Sequence, residues 1–262
     1  MKSTDMNGLF ANDQFSIKEV LLIWGCSALP MPILAFWVPA QLTELWNIPL
    51  LISYWLALIS GLIWQFILSV LILKKEGWAI FSRETWKHRL KFQVAKNPKS
   101  GKSNPWLFLW VVPFIGLNAL ISSDIGFPNL DSFVSPYLPE LPQYDLSGLA
   151  SPEYEGAWWV LGLYLITFAF NYILGEELIY RGILLPKMKG VFGKWDWAAN
   201  GILFGLYHLH KPQIIFSTAL LFGFVFAYPS SRFQSSWMAV IIHGLEGFLG
   251  ATIVFAVILG LA

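Results

Sequence analysis

WWVLGLYLITFAFNYILGEELIYRGILL, residues Trp158–Leu185, decides how the rest of this chain is read. The run is long and apolar enough to cross a bilayer as a helix. It nevertheless carries Glu176, Glu177 and, four residues after the second glutamate, Arg181. An acidic side chain near the bilayer centre costs about 2.5 kcal/mol or more even on the mildest insertion scale. Two carboxylates with one arginine between them therefore imply a polar site held away from lipid.

Composition agrees with that reading. The 262 residues are 56% hydrophobic and 13% charged, with 14 tryptophans and 21 phenylalanines, which points to an integral membrane protein. Apolar runs near Val20–Val38, Ile48–Leu73, Trp106–Ser122, Trp158–Leu185, Trp197–Leu209, Ile214–Tyr228 and Trp237–Leu261 predict an all-α, polytopic fold of about seven transmembrane helices. Helix is expected because the runs lack the alternating polar pattern of a barrel strand. Trp46, Trp78, Trp106, Trp158, Trp195 and Trp237 mark span ends, where amphipathic rings sit at headgroup level. Pro212 and Pro229 bound the short sixth run, so tilted or broken helices are expected there.

The charges are nearly balanced, 17 basic against 16 acidic, but they are sorted by segment. Lys74–Lys102 holds nine Lys/Arg against Glu76 and Glu84, whereas Ser123–Gly156 holds six acids and no Lys or Arg. The first loop is expected in the cytoplasm and the second on the opposite side, which places the N-terminus in the cytoplasm of a multi-pass cell-membrane protein. The polar first eighteen residues carry no cleavage signature. The single cysteine, Cys26, reads as a small buried hydrophobe. The basic stretch Phe81–Phe92 reads as a solvated loop near anionic lipid, and the proline-rich Phe127–Tyr144 as an irregular outer loop. No internal repeat is evident.

Three polar clusters follow on three spans. Glu177 and Arg181 share a helix face, while Glu176 points about 100° away and is left as the candidate proton acceptor. Gly201, Phe204, Gly205 and His208 form one stripe, whose small residues permit close helix approach. His243, Glu246, Gly247 and Gly250 form another. Singly, each cluster has a packing explanation; His88 and His210 look interfacial and receive no role. Together they place polarity on three helices where polarity is penalised.

At these residues the chain resembles the CPBP intramembrane proteases, the Abi or type II CAAX-prenyl protease family, over roughly Leu161 to Gly250. The EExxxR motif stands as Glu176-Glu177-Leu178-Ile179-Tyr180-Arg181, and FxxxH as Phe204 to His208. HxxxN is half matched: His243 is present, but Gly247 occupies the asparagine position. The resemblance implies an intramembrane endopeptidase with its active site in a C-terminal helical core, residues 156–262, preceded by spans and a basic loop in 1–122, all within one domain, 1–262. By analogy, Glu176 and His208 activate water, His243 stabilises the oxyanion, Phe204 packs beside His208, and Glu177 with Arg181 braces the site. Loss of the asparagine removes a donor worth about 100-fold in turnover, and Glu246 could replace it if protonated.

No cofactor is expected. The alternative is zinc on Glu176, His208, His243 and Glu246, whose nitrogen and oxygen donors suit that ion. The expected partners are a membrane-embedded or lipid-modified peptide and the bilayer itself, with no nucleic acid. Two rival readings are a catalytically impaired relative acting as an immunity or scaffold protein and, more distantly, a proton-coupled transporter, for which the first three spans supply almost no charge.

Overall fold

The computed structural model of the protein describes residues 14–121, 146–211, 215 and 219–261. The expectations for the first thirteen residues, Phe127–Tyr144 and Pro212 lie outside them. Among the described residues the regular structure is helical, with no strand: α1 (Ile17–Ala28), α2 (Pro30–Phe36), α3 (Val38–Trp46), α4 (Leu50–Lys75), α5 (Val111–Ile121), α6 (Trp158–Ala169), α7 (Leu185–Lys187), α8 (Asp196–Tyr207), α9 (Leu220–Arg232) and α10 (Trp237–Ile258), with short 3-10 and π turns between them. Four stretches are long and apolar enough to cross a membrane: Ile17–Phe36, Leu50–Lys75, Trp158–Lys187 and Trp237–Ile258. Pro105–Ile121 is apolar but shorter. At 1.5 Å per residue, α8 and α9 reach only about 20 Å, short of a hydrocarbon core of about 30 Å.

The outside of this bundle is apolar. Trp46, Trp106, Leu109, Phe248 and Leu249 are all exposed, a surface suited to lipid rather than water. Cys26 lies on that surface too, so the buried position expected for it is corrected. Pro229 is likewise not a boundary: it sits inside α9, whose last turn runs on to Arg232.

The basic loop is not a free solvated segment. Arg89 is buried; its Nε and Nη2 donate to the two Glu76 carboxylate oxygens at 2.5 and 2.9 Å, and its Nη1 donates to the Gly182 carbonyl at 3.0 Å. Leu90, next to Arg89, is fully buried. The loop is thereby docked onto the end of the Trp158–Lys187 span.

Close approach of α8 and α9 depends on glycine. A Cβ at Gly201 would lie 2.9 Å from the Gly223 carbonyl carbon, and one at Gly205 would lie 2.7 Å from the Leu220 Cα. The expected small-residue stripe is therefore a backbone-to-backbone crossing. It anchors the helix that ends at His208.

Candidate active site

Glu176 and Glu177 sit at a break in their helix. The Gly175 N–H donates to the Phe170 carbonyl, an i to i−5 bond of 2.6 Å, and wide π turns run over Phe170–Leu174 and Leu178–Leu184 on either side. A side chain at Gly175 would stand 3.0 Å from the Leu62 carbonyl oxygen, so the break is pressed against α4. Such π segments loosen the regular ladder and recur at functional sites. Both carboxylates are buried, Glu177 completely.

Behind the site, Glu177 has two partners. Its Oε2 lies 3.4 Å from Arg181 Nε, and its Oε1 lies 3.0 Å from His243 Nδ1. The guanidinium in turn lies 4.1 Å from the Phe204 ring centroid, and its Nη2 donates to the Gly223 carbonyl at 3.3 Å. The His243 ring stacks on Phe226 with centroids 4.6 Å apart. A carboxylate accepts rather than donates, so it fixes the Nδ1 proton of His243 and turns Nε2 outward.

In front of the site, Glu176, Phe204, His208, His243 and Glu246 line one cavity of about 530 Å³. His208 Nδ1 lies 3.0 Å from the Phe204 carbonyl, which can only accept, so the ring keeps Nε2 as an acceptor. Phe204 packs edge-on against His208 at 5.0 Å. Leu51, Trp55, Leu58 and Leu149 continue the wall towards the first half of α4, the half remote from Lys74 and Lys75. One end of the cavity is therefore polar and the other apolar.

Several contributors escaped the sequence reading. The Tyr207 hydroxyl donates to Glu176 Oε1 at 3.1 Å, so the first glutamate is not without a partner. Glu246 accepts from Asn118 Nδ2 on α5 at 2.5 Å; a lone amide within an apolar span was the signal that could have marked Asn118. His210 is buried rather than interfacial, its ring 5.6 Å from that of His208, and it lines the cavity together with Lys211. His88 lies 3.0 Å from Glu84 in the basic loop.

Gly247 has a packing reason. A Cβ there would collide with the Tyr172 ring and stand 2.6 Å from Phe168 Cε2. The Tyr172 ring, which fills that space, lies edge-on to His243 at 4.7 Å. Installing the asparagine by Gly247→Asn is therefore expected to destabilise the protein by about 1–3 kcal/mol through overpacking, whereas the same change in a background carrying both Phe168→Ala and Tyr172→Ala is expected to be much milder. Thermal midpoints measured with and without Gly247→Asn in each background check this; equal losses in both would exclude the collision.

Among the described residues no three His, Cys, Asp or Glu side chains are grouped to hold an ion; Glu246 is hydrogen-bonded to Asn118, and His243 to Glu177.

The elements described thus define a helical membrane protein with a buried carboxylate–imidazole centre. Residues 157–249 match the family model described as Type II CAAX prenyl endopeptidase Rce1-like, the family that the EExxxR and FxxxH motifs resemble. The match spans Glu176 to Glu246 and leaves the first three apolar runs outside it. No curated protein and no solved structure matches the chain.

Proposed function

We propose that the protein is an intramembrane endopeptidase of the CAAX type, hydrolysing a peptide bond by a water molecule that Glu176 and His208 activate. The observation that carries this reading is that Glu176, His208 and His243, distant in sequence, line one cavity. Glu176 takes the water proton while the acceptor nitrogen of His208 holds the same water in position. His243, carried as an imidazolium against the Glu177 carboxylate, donates its Nε2–H to the charge that develops on the carbonyl oxygen. The asparagine of the family motif is replaced here by space that Tyr172 fills, which leaves its ring beside His243. Glu177 and Arg181 position His243 rather than touch substrate.

The two ends of the cavity suit a lipid-modified peptide. Its apolar wall, with Leu51, Trp55 and Leu58, offers a path for an isoprenoid or an apolar segment, and the polar end receives the peptide bond. The family description names a prenylated substrate, and that class comes first in the test. The proposed setting is a multi-pass protein of the cell membrane with the N-terminus in the cytoplasm, supported by the basic Lys74–Lys102 loop. The reaction is proposed to need no metal, since the donor set is already hydrogen-bonded within the protein.

Purified protein incubated with a farnesylated carboxyl-terminal peptide, with and without a zinc chelator, tests the reading by mass spectrometry of the products. Cleavage is expected to proceed at the same rate in both samples. Loss on chelation with recovery on adding zinc would overturn the metal-free mechanism. Absence of any cleavage, of the prenylated peptide and of an unmodified membrane-spanning one alike, would favour a non-catalytic relative, the reading that Gly247 raises.

A further inference from the structure

A second cavity, of about 520 Å³, lies at the end of the bundle where the basic loop docks, and it shares no lining residue with the cavity of Glu176. Lys91, Lys187, Lys189, Arg89 and Arg181 line it, of which Arg89 is paired with Glu76 and Arg181 with Glu177. Two acids share that wall, and each has a partner. Glu84 pairs with His88 at 3.0 Å, and Asp196 accepts the backbone N–H groups of Gly190 and Phe192.

Partial burial and, after it, the repulsion of the cations Lys96, Arg89 and Lys189 pull the Lys91 ammonium below the ordinary lysine range. Lys91 also adopts φ 59°, the left-handed region that side chains rarely occupy. It is held there by Ser236, whose N–H donates to the Lys91 carbonyl at 2.9 Å and whose hydroxyl donates to the Leu90 carbonyl at 2.7 Å, with the Arg181 carbonyl 3.1 Å away. A separate observation points the same way. Arg181 Nη1 and Ser230 Oγ belong to buried residues of this wall and have no hydrogen-bond partner among the described residues. Buried donors left unmatched are rare and call for an acceptor.

We propose that this cavity binds a phosphate group, with Lys91 and Lys189 supplying charge at the mouth and Arg181 and Ser230 supplying donors at the floor. A tetrahedral oxyanion matches that set, since it offers several acceptor oxygens and negative charge to clustered cations. The group has two possible sources, an anionic phospholipid headgroup or free phosphate, and the cavity volume accommodates either. Nothing in this inference depends on the hydrolase reading, so it is tested on the Glu176→Gln variant.

Full-length Glu176→Gln protein in phosphatidylcholine nanodiscs is titrated with inorganic phosphate, using chloride at matched ionic strength as control, and compared with nanodiscs containing graded phosphatidic acid. The readout is the thermal midpoint. A saturable rise with both probes, with phosphatidic acid alone or with phosphate alone supports the site and identifies its source. Adding Lys91→Gln with Lys189→Gln is expected to weaken binding about ten-fold or more, and Ser230→Ala, a smaller change that should preserve folding, by a lesser factor. No saturable rise with either probe, or a rise that all these substitutions leave unchanged, would overturn the proposal.

Discussion

Glu176→Gln is expected to reduce peptide cleavage by about 10²–10⁴-fold, the usual contribution of a positioned proton acceptor, while leaving the fold intact. The amide keeps the shape of the carboxylate and can still accept from the Tyr207 hydroxyl, which lies 3.1 Å from Oε1 in the native protein. What it cannot do is accept the water proton. Turnover of a reporter peptide and the thermal midpoint, measured on the same preparation, separate loss of chemistry from loss of structure. Full turnover in the variant would refute the assignment of the base. A biological phenotype that survives the substitution would identify a scaffold or immunity role rather than a protease.

The second large effect concerns stability. Arg181→Met leaves the completely buried Glu177 with His243 as its remaining charged partner and is expected to cost about 3–5 kcal/mol. Breaking a buried pair from one side strands a charge, whereas removing both charges does not. The double variant Glu177→Leu with Arg181→Met is therefore expected to be more stable than Arg181→Met alone. Reversible unfolding in detergent, arranged as a double-mutant cycle, measures the coupling; additive losses would show that the pair does not act as a unit. Both singles and the double should lose cleavage, because each disturbs the carboxylate that orients His243 Nδ1.

These expectations divide according to how far each could be read along the chain. The membrane class, the helical form and the pairing of Glu177 with Arg181 follow from hydropathy and from neighbours four residues apart on one helix. The close approach of α8 was readable from Gly201 and Gly205, although its partner Gly223 was not. The docking of Arg89 onto the Gly182 carbonyl was out of reach, because it joins a loop to a helix end more than ninety residues away. The exposure of Cys26 was equally hidden, since an apolar run looks the same whether a residue faces lipid or protein.

The site shows the same division. EExxxR, FxxxH and the lone His243 picked out polar side chains that line one cavity, but not the groups that hold them: Tyr207 on Glu176, Asn118 on Glu246 and Tyr172 in the space beside Gly247. Residue chemistry read in order sufficed for the solvent this protein lives in, the helices it makes and the identity of its charged groups, because desolvation and helical spacing act within one segment. Packing between segments decided which side chains meet, which way each imidazole presents its free nitrogen, and why a glycine stands where the motif has an asparagine. Those outcomes depend on distances between residues far apart in the chain, which only the assembled bundle sets.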